Sequence, residues 1–318
     1  MDNKIKTIDV MNAFKFLSKT AFVFSLVLLA SCSSDNDIEE TNEAKTIAKK
    51  IEFKANIDLS DDSDDVTRAT LEEDYSVSWD ENDEISVFCD NNDDAVTFGI
   101  TPSTIERSTA TFSNYGEVLP FWFDPDQYYY AIYPHTSAAL FDTETFVLKS
   151  VLSTNQLVTS GRTYDKRALF MIACAEMDER VFNFKNVPAL IKVNLKNNGD
   201  GKVKFIEVES KSKADILSGN FEASISYGAK KIGFKAVSGA EKKHTVRLQI
   251  PASEEEQDFF IAVLPGTING FTLKFEGREN NADVVLYDRV SSKKSQLKSS
   301  KVYDFGSYDV AEFHPEVK

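Results

Sequence analysis

The sequence predicts an all-β protein built from two antiparallel β-sandwiches in tandem. From residue 51 onward, apolar side chains recur at every second position, which is the period of a strand with one buried face. These stretches return about every 8–15 residues and are separated by Asn, Asp, Gly and Ser, as in sandwich folds. No long amphipathic helix is predicted. Because about 250 residues exceed the size of one ordinary sandwich, two are expected.

The first predicted strand covers residues 51–59 and has one polar and one apolar face. Five apolar residues alternate with polar ones and share a face: Ile51, Phe53, Ala55, Ile57 and Leu59. Burying the four larger side chains is worth roughly 6–12 kcal/mol. This face is therefore expected to pack against the sandwich that follows.

The later strands follow from the same alternation. They are predicted at Tyr75–Trp79, Glu84–Phe88, Ala95–Ile100, Thr109–Ser113, Tyr128–Tyr133, Ala168–Ala173, Val181–Phe184, Leu190–Leu195, Lys204–Val208, Asn220–Ser224, Thr245–Ile250, Phe259–Leu264, Phe271–Phe275, Val284–Tyr287 and Lys301–Phe305. Asn198–Gly201 and Gly228–Lys231 have the composition of hairpin turns. The charged break at Met177–Arg180 is the predicted boundary between an N-terminal sandwich, residues 51–179, and a C-terminal sandwich, residues 180–318.

Residues 1–31 have the layout of a lipoprotein signal peptide. Four lysines precede an apolar run, Thr20–Ala30, which is too short to span a bilayer. The run ends in Leu29-Ala30-Ser31-Cys32, which resembles the bacterial lipobox, whose cysteine carries the lipid. We therefore expect Cys32 to anchor the mature chain to the outer membrane. The alternative is an ordinary signal peptide followed by an incidental cysteine.

Residues 32–50 form a predicted acidic tether. Asp35, Asp37, Glu39 and Glu40 follow closely on Cys32, and such a stretch resembles the surface-export signal of Bacteroidetes lipoproteins. The alternative is a solvated linker without a targeting role.

The charge balance argues against a nucleic-acid partner. The chain has 51 acidic and 36 basic residues, for a net charge of −15. Removing residues 1–31 takes away four lysines and two aspartates, so the mature chain is at −17. Nucleic-acid binding needs a basic surface instead.

The three histidines are scattered, and the sequence contains no HExxH, GxSxG, Walker or GxGxxG motif. No catalytic residue, metal ligand or cofactor is predicted.

Two cysteines and two acidic runs leave alternatives open. Cys89 and Cys174 lie in strand-like stretches as small core residues, the alternatives being a disulfide or a catalytic thiol. Asp61–Asp65 and Asp90–Asp94 are solvated loops or an incidental Ca²⁺ site. An EF-hand is excluded, because Ala95 stands where that loop requires glycine.

A cluster of aromatic residues follows Pro120. Phe121, Trp122, Phe123 and Tyr128–Tyr130 are either an exposed platform for sugars or alternating core and sheet-edge residues.

The loop after the first strand has the composition of a protease target. Six of the eight residues before Arg68 are Ser or Asp, so the loop should be exposed. Arg68 is the sole basic residue between Lys54 and Arg107, so a trypsin-like enzyme has one favoured cut there, between Arg68 and Ala69. The alternative is an acidic loop without such a role.

Five motifs in order resemble the fimbrillin-like family of Bacteroidetes, which includes major and minor fimbrium subunits. They span residues 67–306 and are Thr67–Thr70 with Trp79–Phe88, Tyr129–Pro134, Phe182–Leu195, Phe260–Gly266 and Lys301–Gly306. Asn82 stands where the family usually has a turn glycine, and Asn tolerates positive φ. The chain also runs twelve residues past Gly306.

The resemblance implies two transthyretin-like sandwiches and a lipoprotein precursor that is shipped to the cell surface. It implies that an Arg-specific protease cuts after Arg68, which removes the segment 32–68 with its first strand. It further implies that a strand of another fimbrial subunit fills the opened groove. The C-terminal stretch 301–313, with Val302, Tyr303 and Phe305, is the candidate donor strand.

The function implied is therefore that of a structural fimbrium subunit, with adhesion as its role and without enzymatic activity. The alternatives are a surface glycan-binding lipoprotein, which needs an exposed aromatic row, and a hydrolase, which needs paired carboxylates in a cleft.

Overall fold

The computed structural model describes residues 50–57, 78–106, 108–114, 118–120, 122–159, 162–237, 243–279 and 282–313. The chain divides into two units, residues 1–46 and residues 47–318, and every described residue belongs to the second. Over these residues the chain forms nineteen strands and three short 3₁₀ turns, without an α-helix. The prediction of an all-β fold is confirmed.

The strands are numbered in chain order. The first ten are β1 (Glu52–Ile57), β2 (Glu84–Cys89), β3 (Asn92–Ile100), β4 (Thr109–Ser113), β5 (Tyr128–Tyr133), β6 (Leu140–Asp142), β7 (Val147–Leu152), β8 (Asn155–Leu157), β9 (Met171–Glu176) and β10 (Val181–Asn186). The others are β11 (Ala189–Lys196), β12 (Phe205–Ser210), β13 (Gly219–Ser224), β14 (Gly233–Ala236), β15 (Thr245–Gln249), β16 (Gln257–Val263), β17 (Gly266–Glu279), β18 (Ala282–Leu297) and β19 (Val302–Asp309). The 3₁₀ turns are Pro102–Thr104, Lys166–Ala168 and Val310–Glu312.

Seven strands form a sheet that closes on itself in the order β1-β10-β9-β5-β2-β3-β4. Strand β1 completes the closure, because it pairs antiparallel with β4 on one edge and parallel with β10 on the other. The alternating inward side chains of all seven strands fill the interior as one hydrophobic core.

The other three sheets belong mainly to the later part of the chain. A three-stranded sheet, β16-β11-β19, and a five-stranded sheet, β18-β17-β12-β15-β8, enclose a second core as a sandwich. The four-stranded sheet β14-β13-β7-β6 packs on the outer face of the closed sheet. Residues of β2, β5 and β9 meet residues of β6, β7 and β13 there in a third core.

The pairing differs from the prediction in three respects. Three pairs are parallel, namely β1 with β10, β11 with β19 and β8 with β15, whereas only antiparallel pairs were expected. Strands β6, β7, β8 and β14 were not predicted. In β7 the buried residues are Leu148, Ser150 and Leu152, so a polar residue interrupts the apolar alternation by which strands were predicted. Asn198–Gly201 does turn, with Gly201 at φ +63°, but it joins two different sheets and therefore makes no hairpin.

Strand pairing also crosses the predicted domain boundary. The charged segment Met177–Arg180 lies between β9 and β10, which pair with each other in the closed sheet. In the opposite direction, β7 and β8 precede the boundary but pair with β13 and β15. The division into two domains stays a prediction.

Candidate functional site

Strand β1 is seated as an interior strand whose apolar face is completely buried. Ile51, Phe53, Ala55 and Ile57 are 2, 0, 0 and 5% exposed, whereas Glu52 and Lys54 between them are exposed. The alternation seen in the sequence is therefore the alternation between core and solvent. Leu59, the fifth apolar residue of the predicted strand, lies outside the described residues.

Both edges of β1 are hydrogen-bonded to the neighbouring strands. In the register with β4, Phe53 lies opposite Phe112 and Ala55 opposite Ala110. The amide of Lys54 donates to the carbonyl of Arg180 at 3.0 Å, and the amide of Ile57 donates to the carbonyl of Ser108 at 2.8 Å. Strand β1 is thus held along both sides of the groove that β4 and β10 form.

The other strands contribute aromatic rings around Phe53. Its ring centroid lies 5.0 Å from that of Phe98, 4.9 Å from that of Tyr129 and 4.8 Å from that of Phe182. The first two contacts are edge-to-face and the third is stacked, which are favourable geometries for aromatic pairs. Phe53 is therefore the principal anchor of β1.

Trp79 connects the two strands that flank β1. Its ring lies 5.1 Å from that of Phe112 in β4 and 5.6 Å from that of Phe184 in β10. Its indole N–H donates at 3.0 Å to the carbonyl of Ser108, the same carbonyl that accepts from Ile57. Trp79 therefore links β4 to β10 through contacts that do not involve β1.

A partly buried ionic cluster fixes the turn that follows Trp79. The Asp83 carboxylate, 4% exposed, lies 2.5 Å from the ammonium of Lys166 and accepts from the hydroxyl of Tyr133 at 3.2 Å. The carboxylate of Asp80 is paired with both Lys166 and Arg162. Burial raises the pKa of Asp83 and lowers that of Lys166. The segment after the predicted protease loop is thereby tied to residues 162–166.

The turn forms with Asn82 in place of the usual glycine. The amide of Asp83 donates to the carbonyl of Asp80 at 3.0 Å, and the amide of Asp80 donates to the Asp83 carboxylate at 2.8 Å. The positive-φ residues of the described chain do not include Asn82. A glycine is not required at this position.

The predicted processing residues are not part of the described structure. Cys32, Arg68 and Ala69 lie in the undescribed ranges 1–49 and 58–77, so lipidation and cleavage stay predictions.

The candidate donor residues Val302, Tyr303 and Phe305 lie in β19, which pairs in parallel with β11. The ring of Phe305 stacks on Phe271 at 4.2 Å. The guanidinium of Arg289 donates to the carbonyl of Phe305 at 3.0 Å. The apolar residues of β1 are buried in the groove between β4 and β10, whereas Tyr303 and Phe305 of β19 are half-buried and pack against the second core.

The remaining candidates that the structure describes have structural roles, whereas Asp61–Asp65 lies outside the described residues. Cys89 and Cys174 are both buried and free, so they do not form a disulfide, and burial raises the pKa of each thiol to about 12. The Asp90 carboxylate accepts from the amides of Asp126, Gln127 and Tyr128, each at 2.8 Å, and so caps a turn. Within the described residues, no group of three or more His, Cys, Asp and Glu side chains is placed to hold a metal ion.

The aromatic cluster after Pro120 is mainly core. Phe123, Tyr129 and Tyr130 are 5, 2 and 5% exposed, and Trp122 packs against the first core. Tyr128 is half-buried against Tyr227. Phe121 lies outside the described residues. The described members of this cluster do not form the exposed row that a sugar platform requires.

The residues that line the groove were missed by sequence reasoning. Phe112, Phe182 and Phe184 were assigned to strands but not to the groove. Phe112 reaches β1 through an antiparallel pairing across 59 positions, and Phe182 and Phe184 reach it through a parallel pairing across 127 positions; neither pairing shows in the local sequence pattern. Trp79 was noted as a motif residue and as the end of a predicted strand, Tyr75–Trp79; its two described residues, Ser78 and Trp79, do not lie in a strand. Its position just before a turn with two aspartates was the available signal.

The described residues thus define an all-β protein whose first strand completes a closed sheet. The chain belongs to the fimbrillin-like family, whose sequence profile matches residues 67–306. Membership implies a subunit of fimbriae or adhesins at the cell surface, which associates with other subunits and has a structural role.

Among solved structures, the comparison finds matches of low sequence identity. A candidate cell adhesion protein from Bacteroides ovatus shares 18% identity, with 84% of this chain and 95% of that chain covered and a TM-score of 0.47. One from Bacteroides uniformis shares 15% identity, with 85% and 98% covered and a TM-score of 0.46. The tip fimbrial protein Mfa3 from Porphyromonas gingivalis shares 9%, with 81% and 93% covered and a TM-score of 0.34.

Among curated proteins, none matches this sequence. Within the described residues, no helix is both long enough and apolar enough to cross a membrane.

Proposed function

We propose that this protein is a structural subunit of a cell-surface fimbrium that is exported as a lipoprotein on Cys32. In this proposal an Arg-specific protease cuts between Arg68 and Ala69, and a strand of another subunit then replaces β1. Family membership supports the fimbrial part of the proposal. Because Cys32 and β1 lie on the same side of Arg68, one cut would break the covalent link from the main body to both its anchor and its first strand.

The observation that carries the exchange part is the seat of β1. It fills the interior of the closed sheet and is hydrogen-bonded on both edges, yet only residues 58–77 connect it to the next described residue. After a cut in that segment, β1 would be held by non-covalent contacts alone. An empty groove would then offer two unpaired strand edges, which is the geometry that β-augmentation uses.

The free energy gained by burying the apolar side chains of β1 explains why a competing strand is needed to displace it. Burying Ile51, Phe53 and Ile57 contributes about 1.5–3 kcal/mol each. Their sum is comparable with the whole net stability of a domain, about 5–15 kcal/mol. Cleavage alone would therefore leave β1 in place until another strand offers equal burial. In the uncut precursor, the covalent link also holds β1 in its groove, which keeps another strand from entering and the subunits from associating.

The test compares Arg68→Ala with the wild-type protein after brief treatment with trypsin. After the trypsin is inhibited, a fluorescent peptide of residues 51–59 is added in excess and the mixture is separated by size-exclusion chromatography. The wild type should give one early cut and then retain the peptide, because the peptide replaces the freed β1, whereas Arg68→Ala should keep its own β1 and retain no peptide. Arg107→Ala, which removes the next basic residue along the chain, is the matched control and should retain the peptide like the wild type. Equal retention by Arg68→Ala would show that cleavage at this residue does not release β1.

A further inference from the structure

The inward positions of β1 differ in what they accept, and this difference restricts the strand that can replace it. Position 53 is an aromatic pocket, since three rings lie within 5.0 Å of the Phe53 ring. Positions 51 and 57 hold large aliphatic side chains that are 2 and 5% exposed. Position 55 holds Ala55, which is fully buried.

The space at position 55 is limited by its neighbours. Ala55 lies opposite another alanine, Ala110 in β4, and opposite Phe182 in β10. The rings of the groove are already in contact with one another in a continuous series. Their centroid distances are 4.8 Å for Phe53–Phe182, 5.7 Å for Phe182–Phe184, 5.6 Å for Phe184–Trp79 and 5.1 Å for Trp79–Phe112. A larger side chain at position 55 would force these rings apart, and overpacking of this kind is destabilising.

The strand that replaces β1 must therefore carry a large aliphatic residue, an aromatic residue, a small residue and a second large aliphatic residue at alternate positions. This chain's own C-terminal stretch, residues 301–318, does not meet this requirement. Its aromatic residues that could fill position 53 are Tyr303, Phe305, Tyr308 and Phe313. Each can be placed there with the strand running in either direction.

Every one of these placements meets an obstacle. When Tyr303 lies at position 53, position 55 receives Phe305 in one strand direction and Lys301 in the other. When Phe305 lies at position 53, one direction places Tyr303 at position 55 and the other places Asp309 at position 57. With Tyr308, either Val310 reaches position 55 or Asp304 reaches position 57. With Phe313, either Pro315 reaches position 55 or Asp309 reaches position 57. A carboxylate at position 57 would be buried against the apolar interior.

Strand β19 is also engaged elsewhere. Its Asp304 pairs with Lys192 at 2.8 Å, and the Tyr308 ring lies 4.7 Å from that of Phe275 in the second core. Phe313, just after β19, is 2% exposed and stacks on Tyr287 at 4.8 Å. Moving this stretch into another molecule's groove would break all of these contacts.

We infer that the strand that replaces β1 comes from a different protein, and that this chain does not polymerise with itself through residues 301–318. The inference rests on the proposed exchange of β1, and it specifies the partner by its pattern: large aliphatic, aromatic, small and large aliphatic residues at alternate positions. The assembly is then built from unlike subunits at this groove.

The test uses the whole protein cut at Arg68, warmed gently with an excess of fluorescent synthetic peptides and separated by size-exclusion chromatography. The peptide of residues 51–59 should be retained. The same peptide with Ala55→Phe or Ile57→Asp should be retained about tenfold less or worse. The matched control peptide with Lys54→Ala changes only the solvent-exposed face and should be retained like the original. The peptide of residues 301–313 should not be retained.

Retention of the 301–313 peptide equal to that of the 51–59 peptide would overturn the inference while leaving strand exchange intact. Equal retention of the Ala55→Phe peptide would overturn the size requirement in the same way. If the cut protein binds none of the peptides, including the original, the proposed exchange itself fails and the inference fails with it.

Discussion

The first strand and the last strand of the described structure are related in position but differ in how they are held. Strand β1 pairs in parallel with β10, and β19 pairs in parallel with β11, which follows β10 in the chain. However, β1 is also paired with β4, whereas β19 lies at the edge of its three-stranded sheet. One strand is thus enclosed by backbone hydrogen bonds on both edges, and the other on one edge only.

The side chains show the same contrast. The inward residues of β1 are at most 5% exposed. In β19, Val302, Tyr303 and Phe305 are half-buried, and Gly306 has a φ of +104°, which interrupts the regular strand. Side-chain bonds secure β19 instead, including the Arg289 guanidinium that donates to the Tyr308 hydroxyl at 2.9 Å. The first sheet therefore depends on its first strand for its interior, while the second core uses its last strand as a cover.

The largest effect should come from removing the principal anchor of β1. Phe53→Ala should lower the free energy of unfolding by about 3–5 kcal/mol, because a fully buried ring is replaced by a cavity. Urea unfolding followed by fluorescence measures this change. Lys54→Ala, on the exposed face of the same strand, is the control and should change it by less than about 0.5 kcal/mol. Similar values for the two variants would mean that β1 does not contribute to the core.

A smaller effect is expected at the corresponding aromatic residue of β19. Phe305→Ala should cost about 1–2 kcal/mol, since the half-buried ring loses mainly its stacking on Phe271. The same unfolding experiment applies, with the exposed Ser307→Ala as control. A loss as large as that of Phe53→Ala would remove the contrast between the two strands.

The reactivity of the two buried cysteines should show whether β1 is in place. In a Cys32→Ser protein, neither Cys89 nor Cys174 should react with a thiol reagent at pH 8–9, because burial raises both pKa values to about 12. Cys89 belongs to the core that β1 closes, and Cys174 belongs to the core against the four-stranded sheet. Once β1 is lost, Cys89 should therefore react first. Equal labelling of both thiols, measured by mass spectrometry, would contradict this assignment.

Much of the first strand could be predicted from the sequence, and its partners could not. The strict alternation of apolar and polar residues in 51–57 identifies a half-buried strand, because the period of two is a local property. Its seat between β4 and β10 is not local, since Phe182 pairs with Ala55 across 127 positions of the chain. The importance of Ala55 also escaped prediction, because a small residue carries no signal until its neighbours are known.

The same reasoning explains the other gains and misses. A hairpin turn was predicted at Gly228–Lys231, and β13 and β14 do pair antiparallel on either side of it. The hydrogen-bonded turn lies two residues earlier, with Gly228 at φ +67° and the Ala229 amide donating to the Ser226 carbonyl at 2.9 Å. The role of Asp83 was missed, since its partner Lys166 lies 83 positions later and the sequence does not show that the two meet. A turn can be predicted from the residues within it, whereas ionic contacts between distant segments cannot be predicted from one sequence.

The most direct test of the central claim is a chain that begins at Ala69 and so lacks β1 from the start. The account predicts that this protein is not a stable monomer: it should associate or unfold. Addition of the 51–59 peptide should restore a monomer whose Tm rises with peptide concentration, as binding to the folded state requires. A stable monomer with the Tm of the full protein, unaffected by the peptide, would contradict the claim that β1 fills a groove on which the fold depends.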